Sequence, residues 1–189
     1  MPDRRHLFRG IHDPETVRAG VAVGSRAFSA SKGDARVQVF LTNTGTGHRL
    51  PTYVTPEIRL EAYQQDADGI RIPGTEAITP IVRRLDLQLT TEYFDTRLAP
   101  GQTATLDYKK PISPRAHWLA TRVYVEPDAF YTRIYEALLE MDMDEQGAQL
   151  IREALAESAR SGYSIHEKRY PLGKNDNGHL GPARIKSAR

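Results

Sequence analysis

Between residues 21 and 125 apolar and polar side chains alternate, and a chain that alternates can bury one face only as a β-strand, because successive strand residues point to opposite sides. The clearest runs are Val37-Gln38-Val39-Phe40-Leu41-Thr42 and Ile58-Arg59-Leu60-Glu61-Ala62-Tyr63, with the pattern repeated over 104–108 and 118–125. Turn-forming residues separate the runs at Lys32-Gly33-Asp34, Asp66-Ala67-Asp68-Gly69, Pro73-Gly74 and Ala99-Pro100-Gly101. Roughly seven strands at this spacing predict an antiparallel β-sandwich of immunoglobulin or fibronectin type over residues 21–127.

The flanks have other periods. Residues 1–20 form a lead-in segment, in which Asp13 before Pro14 and Glu15 predicts the start of a short helix. After Pro127 the apolar residues fall at helical spacing, as Phe130, Ile134, Leu138 and Met141, then Leu150, Ile151, Ala154 and Leu155. This predicts a helical appendage over 128–162, one helix or two broken near Gly147, with Phe130, Ile134 and Leu138 buried against the sandwich. Tyr124, Tyr131 and Tyr135 are expected to seal that junction, docking to a partner being their other use. Residues 163–189 have no apolar period and read as an extended tail.

Composition narrows the function classes. The 26 basic and 24 acidic side chains give a net charge of +2, too little for the electrostatic footprint of nucleic-acid binding. No apolar run approaches the ~20 residues of a membrane span, so no membrane insertion is expected. Cysteine is absent, which removes disulfides, thiolate metal sites and covalent haem attachment through CxxCH. Nucleophile-elbow, phosphate-loop and dinucleotide fingerprints are missing, and the expectation is that the chain is not an enzyme. Asp66 and Asp68 fit a hairpin turn better than a calcium site, and Asp142, Asp144 and Glu145 read as solvated helix carboxylates.

One stretch carries chemistry. In Asn43-Thr44-Gly45-Thr46-Gly47-His48-Arg49-Leu50-Pro51-Thr52 a histidine closes a glycine loop beyond a strand, where the backbone can approach a planar group and Pro51 stiffens the chain after the histidine. A solvated histidine on an ordinary connection has the same composition. With Arg59, this stretch resembles the N-T/V-G-A-G-H-x-F-P-T-G…R signature of the β-sandwich region of multihaem c-type cytochromes. The run from His6 to Glu15 is similar to the H-x-F-x-G-G-H-D-P-E stretch leading into that region. The Asp66–Gly69 run and Asp95-Thr96-Arg97-Leu98-Ala99-Pro100-Gly101 match its D-A-D-G and D-T-R-L-x-P-G turns. Ile11, Leu50 and Tyr53 depart from the pattern, standing where glycine, phenylalanine and glycine are usual.

The resemblance implies that His48 and His6 are axial ligands to the iron of haem c, which another chain or an upstream segment holds covalently. It further implies a multihaem c-type cytochrome partner, a role supporting electron transfer, and a periplasmic or extracellular location. The alternative is an interaction or adhesion module whose loops contact protein or glycan without haem. His12 beside Asp13 suits a helix entry or a carboxylate-supported pair behind a ligand, and His117, His166 and His179 carry no site signal.

Overall fold

A computed structural model describes residues 10–31, 33–174 and 180–182. His6 and His179 lie outside them, as does most of the expected tail beyond Lys174. The elements are α1 (Pro14–Gly20), β1 (Val21–Ser31), β2 (Asp34–Asn43), β3 (Glu57–Gln65), β4 (Ala77–Ile81), β5 (Arg83–Leu85) and β6 (Glu92–Asp95). They continue as β7 (Thr103–Pro111), β8 (Trp118–Glu126), α2 (Ala129–Leu139), α3 (Glu145–Arg160), β9 (Tyr163–Lys174) and β10 (Leu180–Pro182).

Two antiparallel sheets form the predicted sandwich, one ordered β1-β2-β7 and the other β10-β9-β8-β3-β4, with β5 and β6 as a separate hairpin. Alternation places the core as expected. Val37, Val39 and Leu41 of β2 are buried, as are Ile58, Leu60 and Ala62 of β3 in the opposite sheet. Within the larger sheet Ile58 stands opposite Val125 and Leu60 opposite Val123. The side-chain period of two thus puts one face of each strand inside.

The other face of β3 is polar. Glu61, nearly inaccessible, receives Arg122 at 2.7 Å, Arg59 at 3.1 Å and Arg71 at 3.2 Å. Such a buried carboxylate is retained only because three guanidiniums replace its lost hydration.

Three expectations change. The stretch from Tyr163 to Lys174 is not a tail but a strand, pairing with β8 from Tyr163 to Pro171 and with β10 beyond. Its inward residues Tyr170 and Leu172 are buried at two-residue spacing, too short a pattern to stand out beside the polar residues around it. The helical break lies at residues 140–144 rather than at Gly147, because the Asp144 carboxylate caps α3 by accepting from the Gly147 amide at 2.6 Å. Asp142 and Asp144 therefore belong to a connection and a cap. Finally, only Phe130 of the predicted helical face is fully buried; Ile134 and Leu138 are half-buried, Met141 is exposed, and α3 has no buried residue. The two helices pair with each other and leave much of their surface open.

Candidate functional site

α1 begins where the sequence indicates, with the Asp13 carboxylate accepting from the Thr16 amide at 2.8 Å. Its last residue, Gly20, accepts at its carbonyl from the amides of Thr44 and Gly45, both at 3.0 Å. A Cβ on Gly20 would stand 2.8 Å from the Thr46 methyl, so any other residue there would have to displace the Thr46 side chain.

The loop itself is built around Asn43, fully buried at the end of β2. Its amide donates to the carbonyls of His48 at 2.8 Å and Leu98 at 3.0 Å, and its carbonyl accepts from the Thr46 amide at 3.3 Å. Gly47 takes a φ of 69°, a region that other residues enter at a cost. Leu50 then pairs with Leu98 by two backbone hydrogen bonds of 2.9 and 2.8 Å. Arg97 donates to the Thr52 carbonyl at 2.9 Å and is itself held by Asp95. The His48 loop thus meets the end of α1 at Gly20 and the Asp95–Gly101 turn at Leu98, segments far apart in sequence.

His48 is exposed, and its Nδ1 lies 2.9 Å from the carbonyl of Arg49. A carbonyl only accepts, so Nδ1 is the donor, and in the neutral imidazole this leaves the lone pair on Nε2. Among the described residues Nε2 has no hydrogen-bond partner. The ring borders a cavity of about 630 Å³ whose walls include Ile11, His12, Val17, Leu50 and Tyr53. Tyr53 is 72% exposed at this rim, whereas Leu50 is part of the core.

His12 also touches the cavity, and its Nε2 sits 3.1 Å from both carboxylate oxygens of Asp128. The sequence suggests pairing with the adjacent Asp13; the fold pairs His12 with Asp128, and no sequence signal links positions 116 residues apart. Asp66 shapes its turn by accepting from the amides of Asp68 at 3.1 Å and Ile70 at 2.9 Å. His117 is exposed and is not part of this cavity's walls. His166 instead joins Ser25, Thr121 and Tyr170 in a polar cluster between the sheets, with its Nε2 2.9 Å from the Ser25 hydroxyl. No group of three metal-ligating side chains occurs among the described residues.

No protein-family model matches the chain, and no curated protein matches it. Among solved structures, a penta-haem cytochrome c552 from Thermochromatium tepidum is similar, with a TM-score of 0.62 and 17% identity over 88% of this chain. This chain spans 43% of that cytochrome's length. The likeness is one of fold. The putative ApaA protein from Bordetella pertussis aligns over 56% of this chain and 74% of its own at 20% identity, with a TM-score of 0.28.

Proposed function

We propose that the chain is a non-catalytic β-sandwich module of a multihaem cytochrome system, presenting His48 as an axial ligand to a haem c held covalently by another chain or by a segment outside these 189 residues. The observation that carries this reading is the state of the imidazole: Nδ1 is fixed by a main-chain carbonyl while Nε2 is free beside a large, partly apolar cavity. Ligating histidines are commonly oriented in this way, because the second nitrogen's hydrogen bond fixes the tautomer and raises ligand basicity.

The donor set fits haem. An imidazole is a usual axial ligand, the cavity has room for a macrocycle edge, and a chain without cysteine needs its haem attached elsewhere. When bound, the group supplies one-electron transfer. This chain's residues would do the rest: Asn43 and Arg49 hold the ring, Leu50 and Tyr53 shield the edge from water, and the rigid sheet ends keep the position fixed. His6 is proposed as a second ligand on the resemblance alone. Haem c attachment implies a periplasmic or extracellular site of action.

The test uses a haem c peptide that carries CxxCH and its own proximal histidine, leaving the other axial position open. Titrated with this chain, it is expected to give a low-spin spectrum with sharpened visible bands. His48→Ala should abolish the change, and His48→Met should shift it. A high-spin spectrum unaltered by saturating protein overturns the ligand role and leaves the interaction module as the better reading.

A further inference from the structure

A second cavity, of about 510 Å³, opens on the other side of His12, between the lead-in segment and the helical pair; Asp128, Tyr131, Tyr135, Glu157 and Ser158 line it with His12. Its chemistry differs from that of the first. Tyr131 and Tyr135, one helical turn apart on α2, stack with centroids 6.5 Å apart and planes 24° from parallel, and Tyr131 is 44% exposed. Rings meant only to seal a junction would be covered; Tyr131 is presented and Tyr135 is half-buried beside it. Two carboxylates share the lining, Asp128 bonded to His12 and Glu157 without a hydrogen bond or ion pair among the described residues. No lysine or arginine is among the lining residues. Of the basic residues nearest in sequence, Arg133 donates to the Leu85 carbonyl at 3.0 Å and lies over Phe130, Arg152 pairs with Glu145 at 3.0 Å, and Arg160 is exposed at the end of α3, outside the lining.

Aromatic faces carry negative quadrupole potential, and with nearby carboxylates they make a local field that favours a soft organic cation over an anion or a neutral group. We propose that this cavity binds an alkylammonium or guanidinium group, and that its occupant is a lysine or arginine side chain of the haem-bearing chain. The second half rests on the function proposed above. Because His12 borders both cavities, a chain whose haem edge reaches His48 brings its flanking residues over His12. A basic residue there would meet the carboxylate of Glu157.

The experiment has two arms. In the first, the whole chain is titrated with butylguanidinium and, as control, butyrate, while NMR monitors the tyrosine rings. Saturable shifts at Tyr131 and Tyr135 with the cation alone are expected, and Glu157→Gln should weaken binding about 3- to 10-fold. Tyr135→Leu should weaken it similarly. Equal response to butyrate, no saturable shift, or unchanged affinity in both variants overturns the cation site. In the second arm a haem c peptide carrying one lysine is compared free and acetylated. Acetylation should weaken binding to the wild-type chain and leave binding to Glu157→Gln unchanged. Equal affinity of the two peptides, with butylguanidinium still bound, overturns the docking role and leaves a site for free cations. Failure here with low-spin haem retained sinks only this inference, whereas cation binding without any spectral change sinks only the ligand role.

Discussion

The side-chain amide of Asn43 donates to the carbonyl of His48 at 2.8 Å, which ties the candidate ligand's backbone to the last buried residue of β2. The same amide bonds the Leu98 carbonyl, so one side chain joins the histidine loop to the turn beside it. The shape of the His48 loop therefore depends on a residue that does not line the cavity.

Asn43→Ala should accordingly lower stability by about 1–3 kcal/mol, because it leaves the Thr46 amide without its acceptor and takes one of two donors from each of the His48 and Leu98 carbonyls, which keep the Thr46 hydroxyl and the Leu50 amide. The haem c peptide should also bind more weakly, as the His48 carbonyl then keeps only the Thr46 hydroxyl to hold it. Chemical denaturation measures the first effect and the optical titration the second. Full stability in this variant would mean that the loop is held by Leu50 and Leu98 alone.

The helical pair gives a contrast within one element. Phe130 is 6% exposed and its amide donates to the Thr55 carbonyl at 2.9 Å, so Phe130→Ala should cost about 3–5 kcal/mol. Leu138, half-buried, should cost under about 1.5 kcal/mol on the same change. Thermal melts of the two variants check the difference, and near-equal values would show α2 anchored along its whole length.

Alternation made β2, β3, β7 and β8 legible, because each turns one apolar face to the core and one polar face away from it, and the capping residues made α1 legible. What stayed hidden was tertiary. The half-buried face of α2 meets α3 rather than the sheet, a choice that periodicity cannot register because both outcomes need the same apolar stripe. At the site, His48 stood out through its glycine loop. The partners that shape it did not: Asn43 resembles any turn asparagine, and the meeting of Leu98 with Leu50 is a backbone pairing without a side-chain signature. The Asp95–Gly101 turn was the available clue, and its sequence is too common among β-sandwiches to have pointed at His48.

Acid should weaken the fold through His166. Burial between the sheets pushes its imidazole below the ordinary value near 6.5, Lys168 pushes the same way, and Glu167 opposes them. The folded state thus binds fewer protons than the unfolded chain. The contribution of neutral His166 is present above about pH 6.5, is lost as pH falls from there through the lowered folded value, and levels off below it. Denaturation midpoints measured from about pH 7 to about pH 4.5 should decline in the wild type, and His166→Gln should flatten the part of the decline due to this group. An identical slope in both proteins would show that the cluster with Ser25 tolerates the imidazolium.

A second acid-sensitive contact lies closer to the candidate ligand. The guanidinium of Arg97 donates to Asp95 from Nε at 2.9 Å and from Nη2 at 2.7 Å, and holds that carboxyl at about 2 instead of 3.8. The bound state of Asp95 is the ionised one, so its stabilisation is present above about pH 4 and disappears as pH falls through about 2. Arg97 also donates from Nη1 to the Thr52 carbonyl, and the Thr52 hydroxyl lies 3.3 Å from His48 Nδ1. Asp95→Asn should remove the charge that orients the guanidinium fork, leave the sandwich folded, and loosen the Thr52 segment. Arg97→Lys should do the same, since a point charge cannot bond Asp95 and Thr52 in one fixed plane. Amide hydrogen exchange over residues 49–55 measures this directly, with faster exchange expected in both variants and little change in β2 or β8. Faster exchange spread evenly over the sheets would instead assign the pair to global stability, and unchanged exchange at 49–55 would show that the loop holds its shape without Arg97.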